Sequence, residues 1–314
     1  VYKRQVLHGS ATKVLLSMVY NEAGIQAGLP PSICLKGGFE DHAHEIADVY
    51  AAEVNFYTRY APELSIRLPE CYFGGIDPDG SQGIVLLEDL EHSGCTFGHA
   101  ARPMVVDTAA ETLETLAILH GKWWNDRSRF TPIMNMDLYA EMLSDAHLKA
   151  AFDGPQGERV APEFKEPGAM AEFIRRLWEV FSGEPHCILH ADSHIGNMFF
   201  DPHGKPGFID WQTLSSGHWC RDVAYFIVGS LDIEVRRKNE RDLLTHYLEC
   251  LSTRVEDPPG FDAVWLSYRR HTMYGLFGWV ACPLDMQPME VVKPCADRFA
   301  VATVDLETAK ALAL

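Results

Sequence analysis

Between residues 188 and 212 the chain reads ILHADSHIGNMFFDPHGKPGFIDWQ, a stretch in which carboxylates, an amide and imidazoles interrupt runs that look like core. Ser-His-Ile-Gly separates Asp192 from Asn197, and Asp210 follows a turn at DPHGKP. Phosphoryl transfer needs a carboxylate beside the attacking hydroxyl, then an amide oxygen and a second carboxylate for a hard cation, and little covalent chemistry besides. All three groups are present here. CIL, NMFF and PGFIDW are short apolar runs with turn residues between the last two. They predict a loop followed by a small hairpin, which holds the polar residues at strand ends where side chains converge.

The order His190-Ala191-Asp192, Asn197, Asp210 also follows the kinase pattern H-R-D-x-x-x-x-N with a later metal-binding Asp. HADSHIGNMFFD and FIDW resemble the H-G-D-L-H-x-G-N and I-D-W signatures of the aminoglycoside phosphotransferase and choline kinase-like superfamily, including its ecdysteroid kinase-like members. His190, Asp192, His194, Gly196, Asn197, Asp210 and Trp211 coincide with them. Ala191 stands where the family usually has glycine, a departure that costs little only where the backbone does not need φ > 0.

The resemblance implies an α+β, two-lobed protein kinase-like fold, with a small antiparallel-sheet N-lobe and a mainly helical C-lobe carrying the catalytic loop and acceptor site. It implies ATP and Mg2+ as cofactors and a small-molecule hydroxyl as acceptor. Asp192 would accept the hydroxyl proton, His190 would orient the loop, His194 would do the same or touch phosphate, and Asn197 and Asp210 would hold magnesium. Lys36 in SICLKGG resembles the phosphate-binding lysine, and Glu53 on the next helix its ion-pair partner. LLEDL resembles the hinge, placing the backbone of Glu88, Asp89 and Leu90 against adenine. Ser10 and Thr12, in the segment His8 to Lys13, would belong to the phosphate-covering loop. Asp222 in RDVAYFIVG would cap its helix and brace the catalytic loop, and His120 in LAILHGKWW would pack behind it.

The elements that must position these residues change character along the chain. KVLLSMVY, SICLKGGF and GIVLLEDL read as strands, with a helix over residues 41–64 carrying Ile46, Val49, Tyr50, Val54 and Tyr57 and stopped by Pro62. Beyond EHSGCTFG the period becomes helical, in MVVDTAAETLETLAILHGKWW, GAMAEFIRRLWEVFSG, RDVAYFIVGSL, ERDLLTHYLECLS and FDAVWLSYRRHTMYGLFGWVA. The boundary is therefore set near residue 92, with lobes of 1–92 and 93–314. In the last of these helices Trp265, Tyr268, Met273, Phe277 and Trp279 are candidates for an aromatic acceptor wall or, equally, for core. Arg269, Arg270 and His271 beside them weigh against a strongly cationic acceptor, which favours a lipophilic or neutral hydroxyl compound.

Composition bounds the function. The net charge of -17, from 44 acidic and 27 basic residues, repels phosphate backbones and anionic membranes, so nucleic acid is excluded as a partner class. Eight cysteines without a CxxC encode neither a zinc ribbon nor a redox motif and read as free thiols of a reducing cytoplasm. No apolar run approaches the ~20 residues of a membrane span. The chain opens VYKRQ without Met, matching a translated sequencing adapter, and reads as a fragment lacking part of its native start. No signature sets an oligomeric state. Two rivals remain. His190, Asp192, His194, His203, Asp210 and His218 could serve a metal-dependent hydrolase, although no H-E-x-x-H is present and Asn197 and Lys36 would then have no task. A kinase-like domain that binds nucleotide without turnover is the other.

Overall fold

A computed structural model of the 314-residue chain describes residues 1–7, 11–40, 46–126, 136–181 and 186–313. Ser10 therefore lies outside the described residues. The chain divides into two compact units, Val1–Phe97 with Phe199–Leu214, and Gly98–Met198 with Ser215–Leu314. A single cut at residue 92 does not describe this division, because the hairpin carrying Asp210 belongs with the N-terminal residues.

The first unit is built on an antiparallel sheet of β1 (Tyr2–Leu7), β2 (Thr12–Ser17), β3 (Ser32–Gly37), β4 (Cys71–Ile76) and β5 (Gly83–Glu88), in the order β1-β2-β3-β5-β4. A short helix α1 (Glu22–Gln26), with Asn21 accepting from Gly24 N at its start, links β2 to β3, and α2 (Ala47–Asn55) lies between β3 and β4. β5 shows the period of a strand buried on one face: Gly83, Val85 and Leu87 are buried. Helix α2 packs on it, burying Tyr50, Ala52, Glu53 and Val54, and continues into a turn at Phe56–Tyr60. β6 (Thr96–Phe97), β8 (Met198–Phe200) and β9 (Pro206–Phe208) form a second small sheet. Phe199 there packs with Leu90, Cys95 and Ile209.

The second unit contains α3 (Val106–Lys122), α4 (Met136–Met142), α5 (Asp145–Asp153), α6 (Pro162–Lys165), α7 (Ala169–Phe181), α8 (Cys220–Ser230), α9 (Ile233–Ser252), α10 (Phe261–Val280), α11 (Met289–Asp305) and α12 (Thr308–Leu312). A two-stranded ribbon, β7 (His186–Leu189) with β10 (Ser215–His218), completes it. On α7 the stripe Met170, Ile174, Leu177 and Phe181 is the buried face. Helix α8 is different: every residue but Arg221 is buried, so it forms the centre on which α3, α10 and α11 pack. Fully burying one such Val, Ile or Phe contributes roughly 1.5–3 kcal/mol. The result is an α+β molecule with an antiparallel-sheet N-terminal region and a mainly helical remainder, as the sequence implied.

Several elements were not anticipated, β10, α11 and α1 among them. SSGH (β10) has no apolar alternation and is a strand because it pairs with β7. Pro294 disguises the stripe of Val292, Cys295, Ala296 and Phe299 on α11. α1 is a single capped turn.

Candidate functional site

In the first unit the register places Lys36 of β3 opposite Lys13 of β2 on one side and Val85 of β5 on the other. Two lysines facing each other across strands repel unless a carboxylate lies over them. Asp210 supplies it: Lys36 Nζ is 2.9 Å from Oδ1 and Lys13 Nζ 3.7 Å from Oδ2. Lys36 also meets Glu53, at 2.9 Å to Oε1 and 2.8 Å to Oε2, and Glu53 Oε1 accepts from Trp211 N at 3.3 Å. Burial alone would lower the pKa of Lys36, but the carboxylates of Asp210 and Glu53 outweigh it and hold the ammonium protonated.

Asp210 is fixed in the left-handed region (φ 66°), which a short polar side chain tolerates. The Trp211 ring that follows stacks on Phe56, with centroids 3.5 Å apart and planes 7° apart. The expected ion pair of Lys36 and Glu53 is thus formed, with Asp210 joined to it. Lys13, which the sequence placed both at the end of the phosphate-covering segment and at the start of the strand KVLLSMVY, is a strand residue of the cluster. Thr12 is buried and donates to Glu40 Oε1 at 2.7 Å.

The hinge candidates have structural work. Glu88 receives Arg67 at 3.0 Å on each carboxylate oxygen. Asp89 is buried and accepts from Ser32 Oγ (2.6 Å), Arg4 Nη2 (2.7 Å) and His92 N (3.1 Å). Leu90 is core, and its carbonyl accepts from Cys95 N at 2.9 Å.

The second unit holds the loop after β7. From His190 to Phe199 every residue is buried except Asp192, Gly196 and Asn197, so the only side chains this loop presents are the carboxylate and the amide. That resolves the mixture of polar groups and core runs in the sequence. Asn197 Nδ2 donates to Asp192 Oδ2 at 2.8 Å and to its backbone carbonyl at 3.0 Å. The amide oxygen is then the atom of Asn197 able to meet a cation. His190 Nδ1 accepts from Asp192 N at 3.3 Å, and His194 Nδ1 accepts from Gly196 N at 3.0 Å, with Nε2 3.6 Å from Asp192 Oδ2. Both imidazoles shape the loop.

Asp222 holds this loop from behind. Its Oδ2 accepts from His190 N and its Oδ1 from Ala191 N, each at 2.8 Å, while Ser193 Oγ donates to its backbone carbonyl. The capping role expected of Asp222 is not observed: the N-cap of α8 is Trp219, whose side chain makes no capping bond, and Asp222 in the first turn accepts from His190 N and Ala191 N of the loop. Burial would raise its pKa, but His120 and His190 outweigh that and keep the carboxyl below the usual range. His120 is fully buried between Asp222 (3.3 Å) and the Tyr247 hydroxyl (2.8 Å). Ala191 has φ 64°, so the position that departs from glycine does demand a left-handed backbone.

The aromatic wall divides. Tyr268, Met273 and Phe277 are core, Tyr268 donating to Glu240 at 3.0 Å, and Trp265 lies under Arg241. Trp279 alone reaches the loop, edge-on to His194 at 5.1 Å and stacked with Tyr225. Arg269 and Arg270 donate to the carbonyls of Leu306 and Ala311, and His271 is stacked on Phe181, so the three side chains are engaged by the C-terminal helices and the core. Arg221, not anticipated, is the cation at the loop: it lies 4.1 Å over the Tyr274 ring, with Nη2 3.5 Å from the Ala191 carbonyl. Of the hydrolase histidines, His190 and His194 accept from loop N–H groups and His218 accepts from Cys220 N and stacks on His271, while His203 lies exposed.

The profile of the phosphotransferase enzyme family matches residues 41–256. The chain belongs to this family. Curated protein sequences return no significant match to this phosphotransferase. Its fold is shared with solved kinases at low identity. Choline kinase LicA from Streptococcus pneumoniae is 14% identical with TM-score 0.55, covering 98% of this chain and 94% of that one. Choline kinase from Cryptosporidium parvum Iowa II gives 14% and 0.54, covering 98% and 89%, and Plasmodium vivax ethanolamine kinase 11% and 0.51, covering 95% and 80%. Among the described residues no helix of the phosphotransferase is long and apolar enough to cross a membrane.

Proposed function

We propose that this phosphotransferase is an ATP-dependent kinase that transfers the γ-phosphoryl group to a hydroxyl of a small molecule in the cytoplasm. The observation that carries the reading is the buried loop presenting only Asp192 and Asn197. Asp192, held through Oδ2 by Asn197, takes the proton of the acceptor hydroxyl. Lys36, kept charged, and Lys13 beside it neutralise phosphate oxygens. Segment Glu88–Leu90 would receive adenine on its backbone, and Thr12 opens the strand that follows the expected phosphate-covering segment.

The donor set fits magnesium, because a hard cation takes oxygen ligands and Asn197 and Asp210 offer an amide oxygen and a carboxylate. When bound, the ion offsets phosphate charge. Positioning and electrostatics then supply most of the rate. His190 and His194 are positioning residues, and so are Glu53 and Asp222.

The fold shared with choline and ethanolamine kinases supports a small acceptor such as an amino alcohol. Tyr225 and Trp279 beside His194 support one with an apolar or aromatic-compatible face. The test is magnesium-dependent ATP turnover against choline, ethanolamine, aminoglycosides, sugars and sterols. Turnover on at least one class is expected, falling by a factor on the order of a hundred or more in Asp192→Ala. ATP binding without turnover on any acceptor would favour the silent nucleotide-binding alternative, and no ATP binding at all would refute the kinase reading.

A further inference from the structure

Away from the loop, α3 and α9 pack along each other, and three metal-ligating side chains of different type meet on their outer side. His246 and Cys250 are one helical turn apart on α9, a spacing that puts both on the same face. Glu114 reaches them from α3. His246 Nε2 is 3.0 Å from Glu114 Oε1 and 3.8 Å from Cys250 Sγ, and the three donor atoms all lie within 4.8 Å of one another.

A surface His–Glu hydrogen bond would use the same 3.0 Å contact, and helical spacing by itself brings the Cys250 thiol to 3.8 Å from the same nitrogen; a metal would in addition make use of the convergence of all three donors from two helices. Tetrahedral zinc, with bonds of about 2.0 Å to N or O and about 2.3 Å to S, needs donor separations of roughly 3.3–3.6 Å. The two observed separations bracket that range. A thiolate, an imidazole and a carboxylate form a set that selects zinc and rejects magnesium and calcium, which take oxygen ligands.

We propose that Glu114, His246 and Cys250 bind a zinc ion that clamps α3 to α9, with solvent in the fourth position. All three residues are partly or fully exposed, so the ion has access. Arg254, the nearby cation, donates to the Cys250 carbonyl and to Thr253 Oγ1. The clamp stands beside the loop's support, since Tyr247, between His246 and Cys250 in sequence, bonds His120 and through it Asp222. It is separate from the phosphoryl-transfer residues.

The test titrates the full chain with Zn2+, and with Co2+ as a spectroscopic probe, comparing wild type with His246→Ala and Cys250→Ser. Expected are one equivalent bound, a thiolate-to-cobalt charge-transfer band and a raised melting temperature in the wild type, each lost in both variants. The metal-free variants should melt with the wild type. Equal zinc stoichiometry and equal thermal shift in wild type and variants would overturn the assignment. Where a variant fails to fold, alkylation of Cys250 in the wild type, followed by peptide mass, decides. Zinc should slow it, and an unchanged rate refutes the site.

Discussion

Ala191 is held at φ 64° between His190 and Asp192, with its N–H bonded to Asp222. A Cβ in that region of backbone costs about 1–2 kcal/mol, part of which is returned by burying the methyl group. Ala191→Gly should therefore raise stability by about 0.5–1 kcal/mol in denaturant melts with turnover kept. Asp222 accepts two backbone N–H bonds and an imidazole contact without exposure to water. Asp222→Ala leaves those donors unpaired, so a loss of about 3 kcal/mol or more and a fall in turnover are expected. Its pKa is depressed in the folded state, so its contribution is fully present above the unfolded value of about 3.9 and disappears as pH falls through the lower folded value. Acid titration of the wild type should accordingly show stability falling below about pH 4, with a shallower acid limb in Asp222→Ala.

At the scale of elements, the loop depends on what crosses behind it. Gly98 donates to the Met198 carbonyl at 3.0 Å, and a Cβ at this position would overlap the carbonyl oxygen of Ile195. Backbone cannot yield as a flexible side chain does. Gly98→Ala should displace the Ile195–Asn197 turn, costing about 1–3 kcal/mol. Because that turn carries Asn197, turnover measured well below the melting temperature should fall further than the lost folded fraction explains. A variant with wild-type kinetics and melting would show that the turn does not depend on this contact. Lys13 and Lys36 illustrate the same dependence in the first unit, where strand register, through Asp210, makes two cations neighbours.

For the whole molecule, a net charge of -17 opposes the approach of extended phosphate backbones, and no retention on immobilised DNA at low salt is expected. Retention that declines with salt would point to a local basic surface overriding the net charge. The sequence by itself carried the phosphoryl-transfer reading: the spacing of Asp192, Asn197 and Asp210 and the types of Lys36 and Glu53 are local facts on which the proposal rests. It also determined the change from strand to helix, because burial on one face imposes the period of each element. Only the tertiary structure decided that the Asp210 hairpin joins the N-terminal unit, that Ala191 is left-handed, that Asp222 braces and does not cap, and that Arg269 and Arg270 are bound to the C-terminal helices. It also brought Glu114 to His246 and Cys250. Each of these depends on which distant group meets a residue after packing, and a pattern of neighbours along the chain holds no term for that.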